Sequence, residues 1–295
     1  MKPSDLKTRI FLDSGDPAET WAVLSSLGFL DGQTTNPSLI AKNPNTAGKK
    51  FTKKELLDFY RKVVEEISFL IPQGSVSIEV YADASTTAEE MLAQGREFYT
   101  WIPNVHIKYP TITEGLKAAE ISVKEGMRIN MTLVFSQEQA AAVYAATRGA
   151  KKGQVFVSPF VGRLDDIGER GMDLIANILE MYHPTFSSPY KGREGREGVD
   201  DCHVEVLTAS VRSVEHIQEA ISLGSDILTA PIKVLNSSFP LSLEGRGQGE
   251  GGFTLKPIPY LNIDLNKPWQ EYNIEHELTD KGLEKFASDW NKLII

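Results

Sequence analysis

Eight short apolar runs recur along this chain of 295 residues, and stretches with helical periodicity separate most of them. Near-continuous apolar strands that alternate with helices are typical of a parallel sheet, because both faces of such a sheet are buried. Eight strands within about 250 residues predict a closed (β/α)8 barrel, the TIM barrel of the α/β class. The runs end in small or polar residues, and they are RIFLDSG, FLDGQTTNPS, SVSIEVYAD, VHIKYPT, RINMTLVFS, QVFVSPFVGR, VEVLTAS and DILTAP.

A doubly wound open sheet is the competing architecture. Its ligand-binding residues gather at the point where the strand order reverses. Here polar residues end every apolar run, which favours a single barrel domain over residues 1–295. Five of the intervening stretches have apolar residues at three- and four-residue spacing and are predicted to be helices. These stretches are KKELLDFYRKVVEEISFL, TEGLKAAEISVKEG, SQEQAAAVYAATRG, MDLIANILEMY and RSVEHIQEAISLG.

Two polar segments and a final helix lie outside the alternation. Residues 183–203 and 236–253 are rich in glycine, serine and charge, and we expect both to be flexible insertions. An amphipathic helix, LTDKGLEKFASDWNKLI, follows them. Its Phe286 and Trp290 are four residues apart and are interpreted as packing residues rather than ligand contacts.

The charge and cysteine content limit the classes of partner. A formal net charge of −9 argues against nucleic acid or an acidic membrane as partner. The single cysteine, Cys202, cannot form an internal disulfide, which fits a reducing cytoplasm. No apolar run approaches membrane-spanning length. No metal-ligand cluster is apparent in the sequence, so we expect a soluble cytoplasmic protein without a metal site.

Lys108 ends the strand VHIKYPT just before Pro110. Burying a charged amine costs several kcal/mol, and burial therefore favours the neutral, nucleophilic form of a lysine. The alternative is that Lys108 extends its amine from an edge strand to solvent. His106 alternates with Lys108 and is interpreted as a satisfied histidine inside the barrel. Tyr109 is expected to point away from the mouth and pack against a helix.

The polar residues that end the strands of a barrel share one face. We interpret Thr229, Ser14 and Ser136 as turn residues or helix caps. So many polar groups around one buried lysine nevertheless favour catalysis over capping. The strand-end residues are Asp13, Thr35, Asn36, Glu79, Lys108, Asn130, Thr132, Ser158, Arg163, Ser210, Arg212 and Thr229.

Five motifs resemble the transaldolase family, in the correct order from about residue 9 to residue 235. They are TTNPSL at 34–39, IKYPT at 107–111, INMTLVFS at 129–136, SPFVGRLDD at 158–166 and TASVR at 208–212. The resemblance implies a (β/α)8 barrel and class I aldol chemistry without a metal or cofactor. It also implies a homo-oligomer, because family members form rings or dimers.

The resemblance assigns roles to individual positions. Lys108 matches the Schiff-base lysine, and Asp13 matches the general acid/base. Glu79 and Thr132 match the pair that handles the catalytic water. The substrate-binding candidates are Asn36 and Asn130 for the three-carbon fragment, Ser158, Arg163 and Arg212 for the sugar phosphate, and Thr35 and Phe160 beside them.

The expected reaction is the transfer of a dihydroxyacetone unit in the pentose phosphate pathway. Sedoheptulose 7-phosphate and glyceraldehyde 3-phosphate would give erythrose 4-phosphate and fructose 6-phosphate. A fructose-6-phosphate aldolase is the alternative within the family, but that branch typically has glutamine at the position of Glu79 and tyrosine at that of Phe160. A non-catalytic sugar-phosphate-binding barrel and a barrel that holds pyridoxal phosphate on Lys108 are two further alternatives.

Overall fold

Eight parallel strands close into one barrel in sequential order, β1 to β8. The computed structural model describes residues 2–183, 202–238 and 255–295. The closed barrel confirms the predicted fold and contradicts the open sheet. Its strands are β1 Arg9–Asp13, β2 Gly32–Thr34, β3 Ser75–Glu79, β4 Val105–Pro110, β5 Ile129–Val134, β6 Val155–Pro159, β7 Val204–Thr208 and β8 Ile227–Ala230.

Helices separate the strands and cover the outside of the barrel. All five predicted helices are present, and the helix Lys53–Leu70 matches its predicted stretch residue for residue. The helices are α1 Pro17–Leu27, α2 Pro37–Ala41, α3 Lys53–Leu70, α4 Ala88–Tyr99, α5 Thr113–Lys124, α6 Gln137–Ala146, α7 Val161–Asp165, α8 Gly171–Tyr182, α9 Val214–Leu223, α10 Ile232–Ser238 and α11 Glu277–Asn291.

The two predicted insertions fall mainly on residues outside the described ones. Of the described positions, 183, 202 and 203 flank the first gap, where Cys202 is buried, and 236–238 form the last turn of α10 rather than the start of a polar loop. No helix in the described ranges has the length and apolar character needed to cross a membrane.

Strand register brings the polar strand ends together. Glu79 of β3 lies opposite Lys108 of β4 in the strand register, and Lys108 lies opposite Asn130 of β5. Tyr109 points to the opposite side of the sheet, where its hydroxyl lies 3.1 Å from Ser122 Oγ of α5. The prediction that Tyr109 packs against a helix is therefore correct.

The final helix α11 packs on the end of β5 and on α2. Strand β5 becomes irregular where it meets β6, and Leu133 adopts a positive φ of 59°. Thr279 Oγ1 of α11 donates a hydrogen bond of 2.9 Å to the Leu133 carbonyl. Ser38 Oγ of α2 donates to Asp289 Oδ2 at 2.5 Å. These contacts hold α11 across the C-terminal end of the barrel.

His106 lies inside the barrel, as interpreted from the sequence. Its Nδ1 lies 2.7 Å from Ser75 Oγ and its Nε2 lies 3.0 Å from the Gly153 carbonyl. Because that carbonyl only accepts, Nε2 carries the proton and Nδ1 accepts from Ser75. Burial lowers the pKa of His106 to about 3, which keeps the ring neutral.

Candidate active site

A cavity of about 250 Å³ opens at the C-terminal end of the strands, beneath α11. Ligand sites of TIM barrels lie at this end, where the loops after the strands meet. Nine of the predicted strand-end and site residues line this cavity: Asp13, Asn36, Lys108, Ser158, Phe160, Arg163, Ser210, Arg212 and Thr229. The other wall residues are Thr34, Ser38, Leu39, Lys42, Ala209, Lys285, Phe286 and Asp289.

Lys108 reaches the cavity from the interior of the barrel, with only 3% of its surface exposed. Its Nζ lies 3.1 Å from Glu79 Oε2 and donates to the Thr35 carbonyl at 3.2 Å. The amine is therefore enclosed rather than extended to solvent, which contradicts the edge-strand alternative. A lysine held at the wall of a cavity can meet a carbonyl group that enters it.

Glu79 is buried beside Lys108. Burial raises the pKa of Glu79, while the charges of Lys108 and Arg163 oppose the increase. Thr132 Oγ1 is also buried and has no hydrogen-bond partner among the described residues. Neither residue lines the cavity wall, so any role in chemistry would be exerted from behind Lys108.

Asp13 ends β1 on the cavity wall. Thr34 Oγ1 donates to Asp13 Oδ1 at 2.7 Å and also lies 2.7 Å from Thr229 Oγ1. Burial raises the pKa of Asp13, with Lys108 and the Thr34 hydrogen bond acting in the opposite direction. Thr229 thus belongs to the cavity wall and supports this carboxyl group, and its interpretation as a cap or turn residue was wrong.

The two predicted asparagines are held by different contacts. Asn36 caps α2, because its side chain accepts a hydrogen bond of 2.9 Å from the Leu39 backbone N–H. Asn130 donates to Ser77 Oγ at 3.1 Å and accepts from Ser158 Oγ at 2.7 Å. Asn36 lines the cavity, whereas Asn130 lies behind the wall and fixes Ser158.

Thr35 turns its side chain away from the cavity. Its hydroxyl lies 2.7 Å from the Tyr60 hydroxyl and donates to the Ser77 carbonyl at 2.8 Å. Its backbone carbonyl is the group that faces the site, where it accepts from Lys108. The neighbouring Thr34 supplies the side chain that sequence reasoning had expected from Thr35.

The two predicted arginines are bound in different ways. Arg212 forms a two-pronged ion pair with Asp166, in which the Nη2–Oδ2 distance is 2.7 Å. Arg163 has no carboxylate at ion-pair distance in the described part of the chain, and its guanidinium carbon lies 5.3 Å from the Phe160 ring centroid and 5.5 Å from that of Phe286. Burial lowers the pKa of Arg163, but a guanidinium stays charged at neutral pH.

Sequence reasoning missed the contribution of α11 to this cavity. Phe286 is a cavity-wall residue over Arg163, so its interpretation as packing alone was wrong. Trp290 does pack in the core, with its ring centroid 5.8 Å from that of Tyr60. The spacing of Phe286 and Trp290 indicates only that they share a helix face, and no local signal specifies what that face covers. Thr34, Ser38 and Leu39, by contrast, belong to the TTNPSL motif that had been identified.

The arrangement combines an enclosed amine, two carboxyl groups and two guanidinium groups around one cavity. An amine and nearby carboxyl groups with raised pKa values can exchange protons near neutral pH. Guanidinium groups bind phosphate dianions in a fork geometry. The cavity is therefore suited to covalent chemistry on a phosphorylated carbonyl compound.

Comparison with known proteins gives a consistent result. A family model described as Transaldolase/Fructose-6-phosphate aldolase matches residues 10–295. A protein of Halalkalibacterium halodurans named probable transaldolase is 35% identical over 283 residues, covering 96% of this chain and 99% of the relative. Probable transaldolases of Methanococcus maripaludis and Rhodospirillum centenum are 36% and 35% identical, each covering 96% of this chain and 97% and 91% of the relative, respectively.

Proposed function

Since this chain belongs to the transaldolase and fructose-6-phosphate aldolase family, we propose that it is a transaldolase that transfers dihydroxyacetone units between sugar phosphates through a Schiff base on Lys108. The observation that carries the proposal is the enclosed Lys108 amine, which lies 3.1 Å from Glu79 on a cavity that Asp13 also lines. The proposed donor is sedoheptulose 7-phosphate, the acceptor is glyceraldehyde 3-phosphate, and the products are erythrose 4-phosphate and fructose 6-phosphate.

The first chemical step forms the Schiff base. Lys108 transfers a proton to Glu79, and the neutral amine adds to the ketose carbonyl carbon to give a carbinolamine. Glu79 then returns the proton to the carbinolamine hydroxyl, which leaves as water and produces the iminium. The raised pKa of Glu79 suits both transfers, and the unpaired Thr132 hydroxyl behind the lysine can hold the departing water.

The second step breaks a carbon–carbon bond. Asp13 as a carboxylate accepts the proton of the C4 hydroxyl, C4 becomes an aldehyde, and the electrons of the C3–C4 bond move to the iminium to give an enamine. Erythrose 4-phosphate leaves when the donor is the seven-carbon ketose. The enamine then attacks the aldehyde carbon of the acceptor, and Asp13 returns its proton to the new hydroxyl group. Hydrolysis of the resulting iminium releases fructose 6-phosphate and regenerates Lys108.

The substrate phosphate is proposed to lie against Arg163 and Arg212 at the far wall of the cavity. The hydroxyl groups of the three-carbon fragment are proposed to lie near Asn36 and Asn130, and Ser158 is the third residue proposed for the phosphate. The Ser158 proton is engaged by Asn130 in the structure, so the phosphate interaction depends mainly on the two guanidinium groups. Binding at the remote phosphate can align the carbonyl group with Lys108.

Fructose-6-phosphate aldolase activity is the second candidate, and the Phe160 side chain favours transfer over it. Phe160 lines the cavity and has no hydroxyl group that could help to protonate the enamine. An enamine that is not protonated persists until an acceptor aldehyde arrives. Assay of dihydroxyacetone release from fructose 6-phosphate without acceptor distinguishes the two activities, and release as fast as transfer would identify an aldolase.

Borohydride trapping tests the Schiff base directly. Incubation with fructose 6-phosphate and borohydride is expected to leave a three-carbon adduct on Lys108, located by peptide mass spectrometry. Lys117 on α5, which forms a surface ion pair with Glu114, serves as an internal control and is expected to stay unmodified. No adduct in a folded protein would favour the non-catalytic binding barrel, and an absorbance band of bound pyridoxal phosphate would favour the cofactor-binding alternative.

A further inference from the structure

The two arginines at the cavity differ in how their charge is compensated. Arg212 is exposed and already donates both prongs of its guanidinium to Asp166. Arg163 is half-buried, and no carboxylate in the described ranges lies within ion-pair distance of it. A phosphate that enters the cavity therefore contacts Arg212, whose charge Asp166 neutralises, and Arg163, whose charge no described carboxylate neutralises.

Arg163 packs against two aromatic rings that belong to distant parts of the chain. The Phe160 ring, 5.3 Å from the guanidinium carbon, follows β6, and the Phe286 ring, 5.5 Å away, comes from α11. Ring faces attract a guanidinium through their quadrupole but accept no strong hydrogen bonds from it. The two rings therefore restrict the guanidinium, and its N–H groups donate to no acceptor among the described residues, which leaves them available to a phosphate.

The position of the Phe286 ring depends on how closely α11 approaches the barrel. Gly282 makes this approach possible, because a Cβ atom there would lie 2.7 Å from Arg163 Nη1 and 2.6 Å from Leu133 Cδ2. Thr279 holds the same stretch of helix through its hydrogen bond to the Leu133 carbonyl. The turn of α11 from Thr279 to Gly282 therefore packs directly against Arg163.

We propose that Phe286 is a positioning residue that orients Arg163 for the substrate phosphate and so makes the enzyme selective for phosphorylated over non-phosphorylated sugars. The inference rests on the proposed function, in which fructose 6-phosphate enters this cavity. Without the ring, Arg163 keeps its charge but can swing away from the phosphate position. The effect falls on substrates that carry a phosphate group, because only these contact Arg163 through that group.

The test compares Phe286→Leu with Phe286→Tyr and with a control on the same helix, Leu283→Ala. Leu283 is buried but does not line the cavity, so its truncation loosens α11 without removing the ring. Phe286→Leu is expected to raise KM for fructose 6-phosphate about tenfold. The preference for fructose 6-phosphate over unphosphorylated fructose, as the ratio of the two kcat/KM values, is expected to fall by about the same factor. Phe286→Tyr keeps the ring and is expected to retain the wild-type preference.

Calorimetric titration with inorganic phosphate separates this inference from the proposed function. Wild type and Phe286→Tyr are expected to bind phosphate similarly, and Phe286→Leu about tenfold more weakly. A wild type that forms no borohydride adduct contradicts the proposed function, and phosphate binding still decides the role of Phe286. Unchanged phosphate binding by Phe286→Leu, or an equal loss in Leu283→Ala, overturns the inference.

Discussion

The barrel holds a cation–carboxylate pair near each of its two ends, fully buried at one end and partly buried at the other. At the C-terminal end, Lys108 Nζ lies 3.1 Å from Glu79. At the N-terminal end, Arg9 Nη2 lies 2.9 Å from Glu205 Oε1. Burial raises the pKa of both carboxyl groups, and both leave Oε2 without an aligned hydrogen-bond donor in the described part of the chain.

The surroundings of the two pairs differ. The Arg9 guanidinium packs 5.2 Å from the Phe156 ring centroid, and that ring stacks on His106 at 4.0 Å. Lys108 instead borders a cavity that it shares with Asp13. An ion pair or a carboxyl group with a shifted pKa is therefore by itself a weak sign of catalysis, and what distinguishes the Lys108 end is the cavity beside the amine.

The largest expected difference between the two ends is in activity. Lys108→Met removes the amine that forms the Schiff base and is expected to lower the transfer rate by at least about 10⁴-fold. Arg9→Met, the matched change at the other end, is expected to leave the rate per folded molecule within about threefold of wild type. The measurement is transfer from fructose 6-phosphate to erythrose 4-phosphate. Comparable losses in both variants would remove the functional distinction between the ends.

Asp13→Asn is expected to slow transfer by about 10²- to 10⁴-fold, because it removes the base that accepts the C4 hydroxyl proton. The Schiff base still forms, so borohydride is expected to trap a six-carbon rather than a three-carbon adduct on Lys108. Asp31→Asn is the control, since Asp31 accepts a 2.8 Å hydrogen bond from the Ile10 backbone at the far end of β1. A three-carbon adduct formed by Asp13→Asn at the wild-type rate would assign the base to another group.

The Arg9–Glu205 pair is expected to affect stability rather than rate. Arg9→Met leaves a carboxylate without its partner and is expected to cost about 2–3 kcal/mol, less than a fully buried pair because 33% of the Arg9 side chain is exposed. The loss is expected to shrink at acidic pH, where Glu205 takes up a proton. Chemical unfolding of this variant and of Arg9→Met/Glu205→Leu checks the result, and the double variant should recover most of the loss.

The smallest expected effect is a gain in the stability of the folded protein when Asp13, on the cavity wall, is replaced by asparagine. A carboxyl group whose pKa is raised by folding stabilises the fold below its unfolded pKa, and this contribution is lost as pH rises through the folded pKa. Asp13→Asn avoids that loss and is expected to raise the melting temperature at pH 8, by about 2–4 °C for each 1 kcal/mol gained. The difference should vanish as the pH falls to the ordinary aspartate range. A variant that is less stable at pH 8 would contradict the raised pKa of Asp13.

The fold could be predicted because its signals are local. Each strand is a short apolar run, and α3 shows its full amphipathic period over Lys53–Leu70. Helix α1 was overlooked although Asp16 caps its first turn and Gly28 ends it with a positive φ of 75°. These cap residues could have identified it.

The site could be predicted in part. The motif around Lys108 places a lysine at the end of a strand, and that was sufficient to find the cavity. The sequence could not show that Thr34, rather than Thr35, places its side chain in the cavity. Strand β2 has only three residues and ends at Thr34, so the alternation of side chains along the strand does not extend to Thr35. Phe286 contacts Arg163 only because α11 packs on the barrel. The spacing of apolar residues along α11 does not indicate which part of the barrel the helix covers.

The position of α11 in the chain has a consequence for biosynthesis. Ribosomes extend a polypeptide from its amino to its carboxyl end, so all eight strands leave the exit tunnel before Phe286 does. A nascent chain can close its barrel and enclose Lys108 while Arg163 still lacks its second ring. If Phe286 orients Arg163 as proposed, the ability to select phosphorylated sugars is acquired late, after the Lys108 amine is already in place.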